Sequence, residues 1–325
     1  MKKLAISAMI IAALSMMGVI FIYATQNDSS DETHKKALTS DYRIYSPVLP
    51  DTMYFAGERV PLEIYYVYEG LDREVMVNMY WQSNMLLWIK RANRHFPIIE
   101  PILKANGVPD DFKYLCVIES GLLNVTSPAK ASGYWQFLAS TGKSYGLEIN
   151  DEIDMRNHIE LSTEAACKFL KELRSSLGSW TNAAAAYNCG AGGLRSRLNA
   201  QGVQSYYDVR LNTETSRYIF RILAAKLIMQ HPQEYGFYVR QRDLYPPIPY
   251  RTAELKGQNI DLYQFAKDHN TTYKMLRELN PWLTTTKLTN KNNKTYKVKL
   301  PVENGTYRKV IQSDSQRSAK LVERI

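Results

Sequence analysis

Residues 111–137 read DFKYLCVIESGLLNVTSPAKASGYWQF, and this stretch decides how the middle of the chain folds. Its first part, KYLCVI, is apolar at helical spacing, so that Leu115, Ile118 and Leu122 would share one buried face. The same helix carries a carboxylate, Glu119, at its end. Because burying an unpaired charge is costly, a glutamate in this position is either an exposed helix-end residue or part of a site.

The bounds of this helix can be predicted from its flanking residues. Proline and two acidic residues at 109–111 suit a first turn, and Gly121 is a suitable stop. Glu119 then lies in the last turn, where the helix dipole disfavours its charged form. Together with the apolar neighbours, this position predicts a raised pKa, as a general acid working near neutral pH requires.

Helical periodicity dominates the chain before residue 245. One pattern begins at Leu71 and is expected to be interrupted at Pro97, after which a short helix would end at Asn106-Gly107. Further helices are expected over residues 157–177, 179–188 and 213–230. Strand patterns are nearly absent there, so the sequence predicts a mainly α fold with an all-α domain over residues 71–244.

A smaller unit follows a proline-rich hinge, PPIP, at residues 246–249. Two short helical stretches and a final strand predict an α+β module with the order β-α-α-β over residues 250–301. A basic tail is expected over 302–325. Residues 286–325 hold ten Lys or Arg against three Asp or Glu, so +7 of the net charge of +9 lies there. Such a segment suits a polyanion, although a merely solvated tail is the alternative.

The N-terminus indicates export. After the basic start MKK, the segment from Leu4 to Tyr23 carries no charge, which predicts a signal peptide or membrane anchor over residues 1–24. Either one places the rest of the chain outside the cytoplasm, in the periplasm or facing the cell wall, and makes nucleic acid an unsuitable partner. A linker and extended segment is expected over residues 25–70: the polar residues 25–45 predict a linker, and residues 46–70 are expected to wrap the next domain as extended chain.

Several kinds of chemistry find little support. Cys116, Cys167 and Cys189 are an odd set without C-x-x-C spacing, and the five histidines are scattered. Neither a G-x-S-x-G string nor a P-loop string occurs. Metal, serine-nucleophile and nucleotide sites are therefore not predicted, and no cofactor is implied.

Three strings in the helical region lie outside a plain core pattern: IESGL at 118–122, GYWQF at 133–137 and AYNCG at 186–190. In this order and at these separations they resemble the catalytic core of the soluble-type lytic transglycosylases, relatives of goose-type lysozyme. The resemblance covers about residues 95–240 and implies a lysozyme-like, all-α catalytic domain. The whole layout is similar to that of membrane-bound lytic transglycosylases of the D type.

The resemblance implies a role for each matched residue. Glu119 matches the catalytic acid/base of the family, and five others match substrate-binding positions: Ser120, Gln136, Tyr187, Asn188 and Tyr218. The string G-Y-W-Q replaces the commoner G-L-M-Q, and Cys189 replaces an alanine. Both departures keep the polar residues, so they affect the shape of the subsites rather than the chemistry.

Most glycosidases use two carboxylates, but no second acid stands out here. The acidic cluster over residues 151–154 reads as solvated turn charges. The resemblance implies instead that the N-acetyl group of muramic acid assists, while Glu119 acts first as acid and then as base, leaving a 1,6-anhydromuramic end. Tyr134 and Trp135 are then candidate stacking faces for the sugars, with a position in the core as the alternative for Trp135.

The C-terminal module resembles LysM through DLYQFAKDHN, LRELNP and TYKVKLP, although the usual G-D-T-L opening appears only as GQNIDL. The resemblance implies binding of glycans that contain N-acetylglucosamine, with a purely structural cap as the alternative. Peptidoglycan glycan strands are the expected partner. Two other functions stay open: a muramidase in which Glu119 activates water, and a wall-binding scaffold with an inactive catalytic domain.

Overall fold

The computed structural model describes residues 44–302. The predicted signal peptide or anchor, the first part of the predicted linker, and the basic tail from residue 303 onward lie outside these residues. Within the described range, no helix combines the length and the apolar character needed to cross a membrane.

A short hairpin opens the described chain. Strand β1, Met53–Phe55, pairs antiparallel with β2, Glu58–Val60, and Phe55 and Val60 are buried. The carboxylate of Glu58 accepts hydrogen bonds from the backbone N–H groups of Trp180 (2.6 Å) and Thr181 (2.9 Å), where an acidic group suits a helix N-terminus. Part of the segment expected to wrap the next domain as extended chain, residues 46–70, is therefore a hairpin that contacts the helical region.

Helices make up most of the rest, which confirms the predicted mainly α fold. Up to residue 238 their bounds are α1, Tyr65–Tyr80; α2, Gln82–Ala105; α3, Phe112–Ser120; α4, Ala139–Ser144; α5, Ile159–Leu177; α6, Trp180–Cys189; α7, Ala191–Gln201; and α8, Thr213–Gln230. The predicted bounds of α5, α6 and α8 agree with these within two residues. Helices α4 and α7 were not predicted, because their sequences are short or rich in glycine and polar residues.

The predicted break at Pro97 is wrong. Helix α2 continues through Pro97 and Pro101 to Ala105. Both prolines lie on the exposed side, while Ile99 and Leu103 are fully buried on the other side. Burial of that apolar face outweighs the cost of proline inside a helix.

Helix α3 ends as predicted, at Gly121. This residue has a left-handed backbone (φ 61°), and its N–H donates to the carbonyl of Val117 at 2.7 Å. A Cβ added to Gly121 would lie 2.9 Å from Nε1 of Trp88, so a side chain here is excluded by packing as well as by conformation. The stop fixes Glu119 in the final turn.

The C-terminal module has the predicted order of elements. Strand β3, Tyr250–Leu255, pairs antiparallel with β6, Tyr296–Pro301, and between them lie α9, Leu262–Asp268, and α10, Tyr273–Leu279. A minor pair joins β4, Ile260–Asp261, to β5, Lys287–Leu288. Leu255, Leu262, Leu276, Val298 and Leu300 form its buried core.

The helical region and the C-terminal module belong to one compact unit, which holds Ser46–Tyr238 and the described residues from Leu244 onward. Among the described residues, Ile44, Tyr45 and Val239–Asp243 form a separate unit. In that unit a short 3₁₀ turn, Gln241–Asp243, accompanies an ion pair between Arg240 and Asp243 (2.8 Å).

Candidate active site

Glu119 faces helix α8 across the interior of the helical region. The hydroxyl of Tyr218, on α8, donates a hydrogen bond to the Glu119 carboxylate. Tyr218 is almost fully buried, whereas Glu119 is only partly buried. The contact therefore joins the last turn of α3 to α8 and leaves the carboxyl group at the border between interior and solvent.

The surroundings of Glu119 raise the pKa of its carboxyl group. Burial is the largest cause, and the negative charge of Glu214 acts in the same direction. The hydrogen bond from Tyr218 and the positive charge of Arg221 oppose the shift without cancelling it. A carboxyl group with a raised pKa stays protonated up to a pH nearer to neutral. A general acid has to be protonated in this way before it can donate.

Arg221 was not predicted as part of the site. It lies one helical turn after Tyr218, and its Nη2 donates to the carbonyl of Ile118 at 3.3 Å. The spacing within SRYIFRI was the available signal, because residues three apart on a helix share a face. Arg221 thus places a positive charge beside the final turn of α3.

Ser120 supports the neighbouring loop. Its buried hydroxyl lies 2.8 Å from the carbonyl oxygen of Tyr134 and 3.2 Å from that of Cys116. The hydroxyl is therefore directed at protein carbonyls, and it ties α3 to the GYWQF segment. Substrate binding by Ser120 remains a prediction.

Gln136 is held in a strained turn. Its φ of 48° is unusual for a residue other than glycine, and its Nε2 donates to the carbonyl groups of Val125 (2.9 Å) and Gly133 (2.8 Å). Both amide protons thus serve the loop itself. The side-chain carbonyl oxygen is the remaining group, which suits a hydroxyl or amide donor of a ligand.

Tyr187 links the third string to the second. Its hydroxyl donates to the backbone carbonyl of Trp135 at 2.7 Å. Burial, followed by the charge of Glu119, raises the pKa of Tyr187 well above its usual value, so the phenol stays protonated. Helix α6 therefore holds the peptide unit that immediately precedes Gln136.

Asn188 ties the end of α6 to the start of α8. Its Oδ1 accepts from the hydroxyl of Thr215 (3.0 Å), and its Nδ2 donates to Glu214 (3.3 Å). The helix continues through Cys189, and Gly190 is the C-cap. In this arrangement both polar atoms of the Asn188 side chain contact α8.

Tyr134 and Trp135 do not offer exposed stacking faces, because both side chains are buried, and Trp135 has the core position that was the alternative. Nε1 of Trp135 donates to the hydroxyl of Thr163 (2.9 Å), and the Tyr134 hydroxyl accepts from Asn124 (3.1 Å). Gly133 explains the orientation: with φ of 82° it turns the chain so tightly that a Cβ there would meet backbone atoms of the 155–157 turn.

The reading of the 151–154 cluster as solvated charges is also wrong in one position. Asp154 is buried and forms a bidentate ion pair with Arg156, with Nε to Oδ1 at 2.9 Å and Nη2 to Oδ2 at 2.7 Å. An adjacent cation that is also buried explains why this carboxylate tolerates the interior. The sequence held this signal in the D-M-R spacing at 154–156.

The structure thus brings all three strings together. Glu119 contacts α8 through Tyr218, Ser120 holds the carbonyl of Tyr134, and Tyr187 holds that of Trp135. Within the described residues, no group of three or more His, Cys, Asp or Glu side chains is arranged to hold a metal ion. The arrangement offers one protonatable carboxyl group, set beside a loop with a free amide carbonyl.

Two family models match parts of this chain. Residues 96–209 match the family model of the transglycosylase SLT domain, and residues 251–304 match the C-terminal LysM-like domain of soluble lytic transglycosylases. The chain therefore carries an SLT transglycosylase domain followed by a LysM-like domain.

Two curated relatives are similar over 152 residues at 31% identity: the membrane-bound lytic murein transglycosylases D of Escherichia coli strain K12 and of strain O6:H1. The match covers 45% of this chain and 34% of each relative, so the chain spans about a third of the length of the curated relatives it matches. An X-ray structure of an inactive mutant of the lytic transglycosylase Slt from Pseudomonas aeruginosa is similar at 18% identity and a TM-score of 0.33, over 47% of this chain and 26% of that one.

Proposed function

We propose that this protein is a peptidoglycan lytic transglycosylase, which cleaves the β-1,4 bond between N-acetylmuramic acid and N-acetylglucosamine without consuming water. The observation that carries the proposal is the Glu119 carboxyl group, which has a raised pKa and accepts a hydrogen bond from Tyr218 inside an SLT domain. The lytic transglycosylases among its relatives support the same reaction.

The first step is departure of the N-acetylglucosamine residue. Glu119 donates its proton to the glycosidic oxygen as the bond from that oxygen to C1 of muramic acid breaks. The carbonyl oxygen of the muramic N-acetyl group bonds to C1 and stabilises its positive charge. The electron pair of the broken bond leaves with the protonated oxygen.

The second step closes the anhydro ring. The C6 hydroxyl attacks C1 and displaces the N-acetyl oxygen, while the Glu119 carboxylate accepts the hydroxyl proton. Glu119 is thereby protonated again, and the product ends in 1,6-anhydromuramic acid. Tyr218 and Arg221 would steady the carboxylate between the two steps, because each favours its charged form.

A single carboxyl group is sufficient for this reaction. Among the acidic residues of the described chain, Glu214 is the one that influences Glu119, and it is exposed and hydrogen-bonded to Asn188. An intramolecular nucleophile removes the need for a second carboxylate to activate water. The geometry therefore favours assistance by the substrate over the two-carboxylate mechanism.

The other predicted residues either contact the glycan or hold the groups that do so in this proposal. The carbonyl of Gln136 would accept from a sugar hydroxyl or amide, and Tyr187 would fix the loop that presents it. Ser120 and Asn188 act through protein contacts that shape the cleft. The LysM-like domain would contact the same glycan polymer. The N-terminal apolar segment would direct export of the protein to the compartment that holds this polymer.

Analysis of the products by mass spectrometry tests the proposal. Purified peptidoglycan is incubated with the wild-type protein, with Glu119→Gln, and with Glu164→Gln, a control that removes an exposed carboxylate on α5. We expect soluble fragments with anhydromuramic ends from the wild type and the control, and none from Glu119→Gln. Reducing ends would assign the protein as a muramidase, and the absence of products from all three would favour a wall-binding scaffold.

A further inference from the structure

The LysM-like domain contacts the catalytic region, residues 96–209, through an isolated β-bridge. Ile153 and Leu283 form an antiparallel β-bridge, and both side chains are buried. On either side of the bridge, the N–H of Asp154 donates to the carbonyl of Trp282 (2.8 Å) and the N–H of Thr284 donates to the carbonyl of Glu152 (2.9 Å). Backbone pairing of this kind fixes the register of the 152–154 segment.

Polar side chains reinforce this contact. The carboxylate of Glu152 accepts from both the N–H (3.0 Å) and the hydroxyl (2.9 Å) of Thr289. Glu148 accepts from the hydroxyl of Tyr296 (3.1 Å) and from Lys294 (3.2 Å). The LysM-like domain therefore contacts both ends of the 148–154 segment. This segment lies within the SLT domain.

Asp154, whose backbone is held by the LysM-like domain, is in turn bonded to Arg156. The two side chains form the bidentate pair described above, and about a tenth of each is exposed. Removing one partner from such a pair leaves a buried charge without compensation. The position of the Arg156 guanidinium is therefore determined by the position of Asp154.

Arg156 in turn holds the loop that carries Gln136 by two hydrogen bonds. Its Nη1 donates to the carbonyl groups of Lys130 (2.9 Å) and Phe137 (3.0 Å), which lie on either side of Gln136 in the chain. The backbone of the same turn packs against Gly133 so closely that no other residue fits there. A shift of the 154–156 turn would thus move the Gln136 loop.

We propose that the LysM-like domain is a built-in positioning element of the catalytic site, which holds the Gln136 loop through Asp154 and Arg156, and that Arg156 is a positioning residue for substrate. The inference rests on the proposed function, because it assigns Gln136 a role in binding the glycan. It gives the domain a second task besides any glycan binding of its own.

The first test is a double-mutant cycle in the full-length chain with soluble glycan strands as substrate. Lysine keeps the charge of Arg156 but lacks the planar fork that reaches Asp154 and both carbonyl groups. We expect Arg156→Lys to lower kcat/KM about tenfold, mostly through KM, and to add little further loss when Gln136→Ala is present. Additive losses in the double variant would overturn the proposal. Arg59→Lys, in the exposed bidentate pair with Glu63, is the matched control and should behave like the wild type.

The second test does not depend on activity. Leu283→Ala removes a fully buried leucine at the contact with the catalytic region, whereas Leu276→Ala removes an equally buried leucine from the core of the LysM-like domain. We expect Leu283→Ala and Arg156→Lys to speed backbone hydrogen exchange in residues 125–137, and Leu276→Ala to leave it unchanged. Unchanged exchange in Leu283→Ala, or equal acceleration by both leucine variants, would contradict the coupling. If the wild type released no peptidoglycan fragments, the proposed function would fail, while this exchange pattern would still decide whether the domains are coupled.

Discussion

The hydroxyl of Tyr218 donates a hydrogen bond to the carboxylate of Glu119 across the space between α8 and α3. This bond favours the charged form of a carboxyl group whose burial favours the neutral form. The balance keeps the proton available for donation and stabilises the carboxylate that is left. In the proposed reaction, both states of Glu119 are needed in turn.

Tyr218→Phe should raise the pKa of Glu119 further, because the substitution removes an interaction that lowers it. Activity requires the protonated acid, so the limb of the pH profile where activity falls with rising pH should move to higher pH. The maximal rate should fall as well, because the carboxylate formed in the first step loses its donor. The measurement is kcat/KM against pH.

Tyr235→Phe is the matched control for that experiment. Its hydroxyl donates to the carbonyl of Val48 (2.9 Å), away from Glu119. This variant should leave the profile in place. An unmoved alkaline limb in Tyr218→Phe would mean that the tyrosine does not set the pKa of the acid.

The two charges beside Glu119 should shift the same limb in opposite directions. Arg221→Gln removes a positive charge that lowers the pKa of Glu119, so the limb should move to higher pH. Glu214→Gln removes a negative charge that raises this pKa, so the limb should move to lower pH. Both shifts should shrink as salt is added, because Glu214 is exposed and Arg221 is only partly buried. Shifts of the same sign would show that these charges do not act on Glu119 directly.

Ser120→Ala should destabilise the fold by about 1–2 kcal/mol, because the substitution leaves the buried carbonyl of Tyr134 with only the weak thiol donor of Cys116 from α3 (3.3 Å). Activity should fall at the same time, since this carbonyl belongs to the loop that carries Gln136. Urea unfolding and fragment release measure the two effects. Ser144→Ala, which removes an exposed hydrogen bond to the carbonyl of Ser140, should change neither.

The free energy of unfolding should depend on pH through Glu160, which contacts Lys299 where the SLT domain meets the LysM-like domain. Burial alone would raise the pKa of Glu160, but the adjacent His158 ring (Nδ1 to Oε2, 3.2 Å) and the hydrogen bond from Lys299 outweigh it and lower the pKa to about 2. Because the pKa is lower in the folded state, this contribution is complete above the unfolded pKa of about 4.5 and is lost as the pH falls towards 2.

Glu160→Gln should therefore cost about 2 kcal/mol near neutral pH, after allowance for solvent screening, and less than half of that near pH 3. Urea unfolding at the two pH values gives the comparison, and Glu63→Gln, in an exposed pair with Arg59, is the control. A cost that is equal at both pH values would contradict the assignment.

The parts of the fold that follow from local pattern could be predicted from the sequence. The apolar face of α3 with its Gly121 stop is an example, because helical spacing and a left-handed cap are read from neighbouring residues. The path of α2 through Pro97 could not be predicted in this way. Its stability depends on the burial of Ile99 and Leu103 by residues distant in sequence, which the local pattern does not contain.

The candidate site shows the same limit. Glu119 and Tyr218 were predicted as site residues, and the structure places them in contact. The sequence could not decide whether Trp135 lies in the core or stacks on sugars, because its orientation depends on the close approach of Gly133 to a turn more than twenty residues later. The buried pair of Asp154 and Arg156 was missed for a related reason: charged residues in a loop are usually solvated, and only the tertiary fold shows that these are covered.

The central claim is that Glu119 catalyses cleavage without water, and digestion of peptidoglycan in water enriched in ¹⁸O tests it most directly. We expect the wild type to release muramic ends that are lighter than the hydrolysed form by one water and carry no ¹⁸O. We expect Glu119→Gln to produce none of these ends. Reducing muramic ends that contain one ¹⁸O atom would contradict this claim and would show that the same carboxyl group directs hydrolysis.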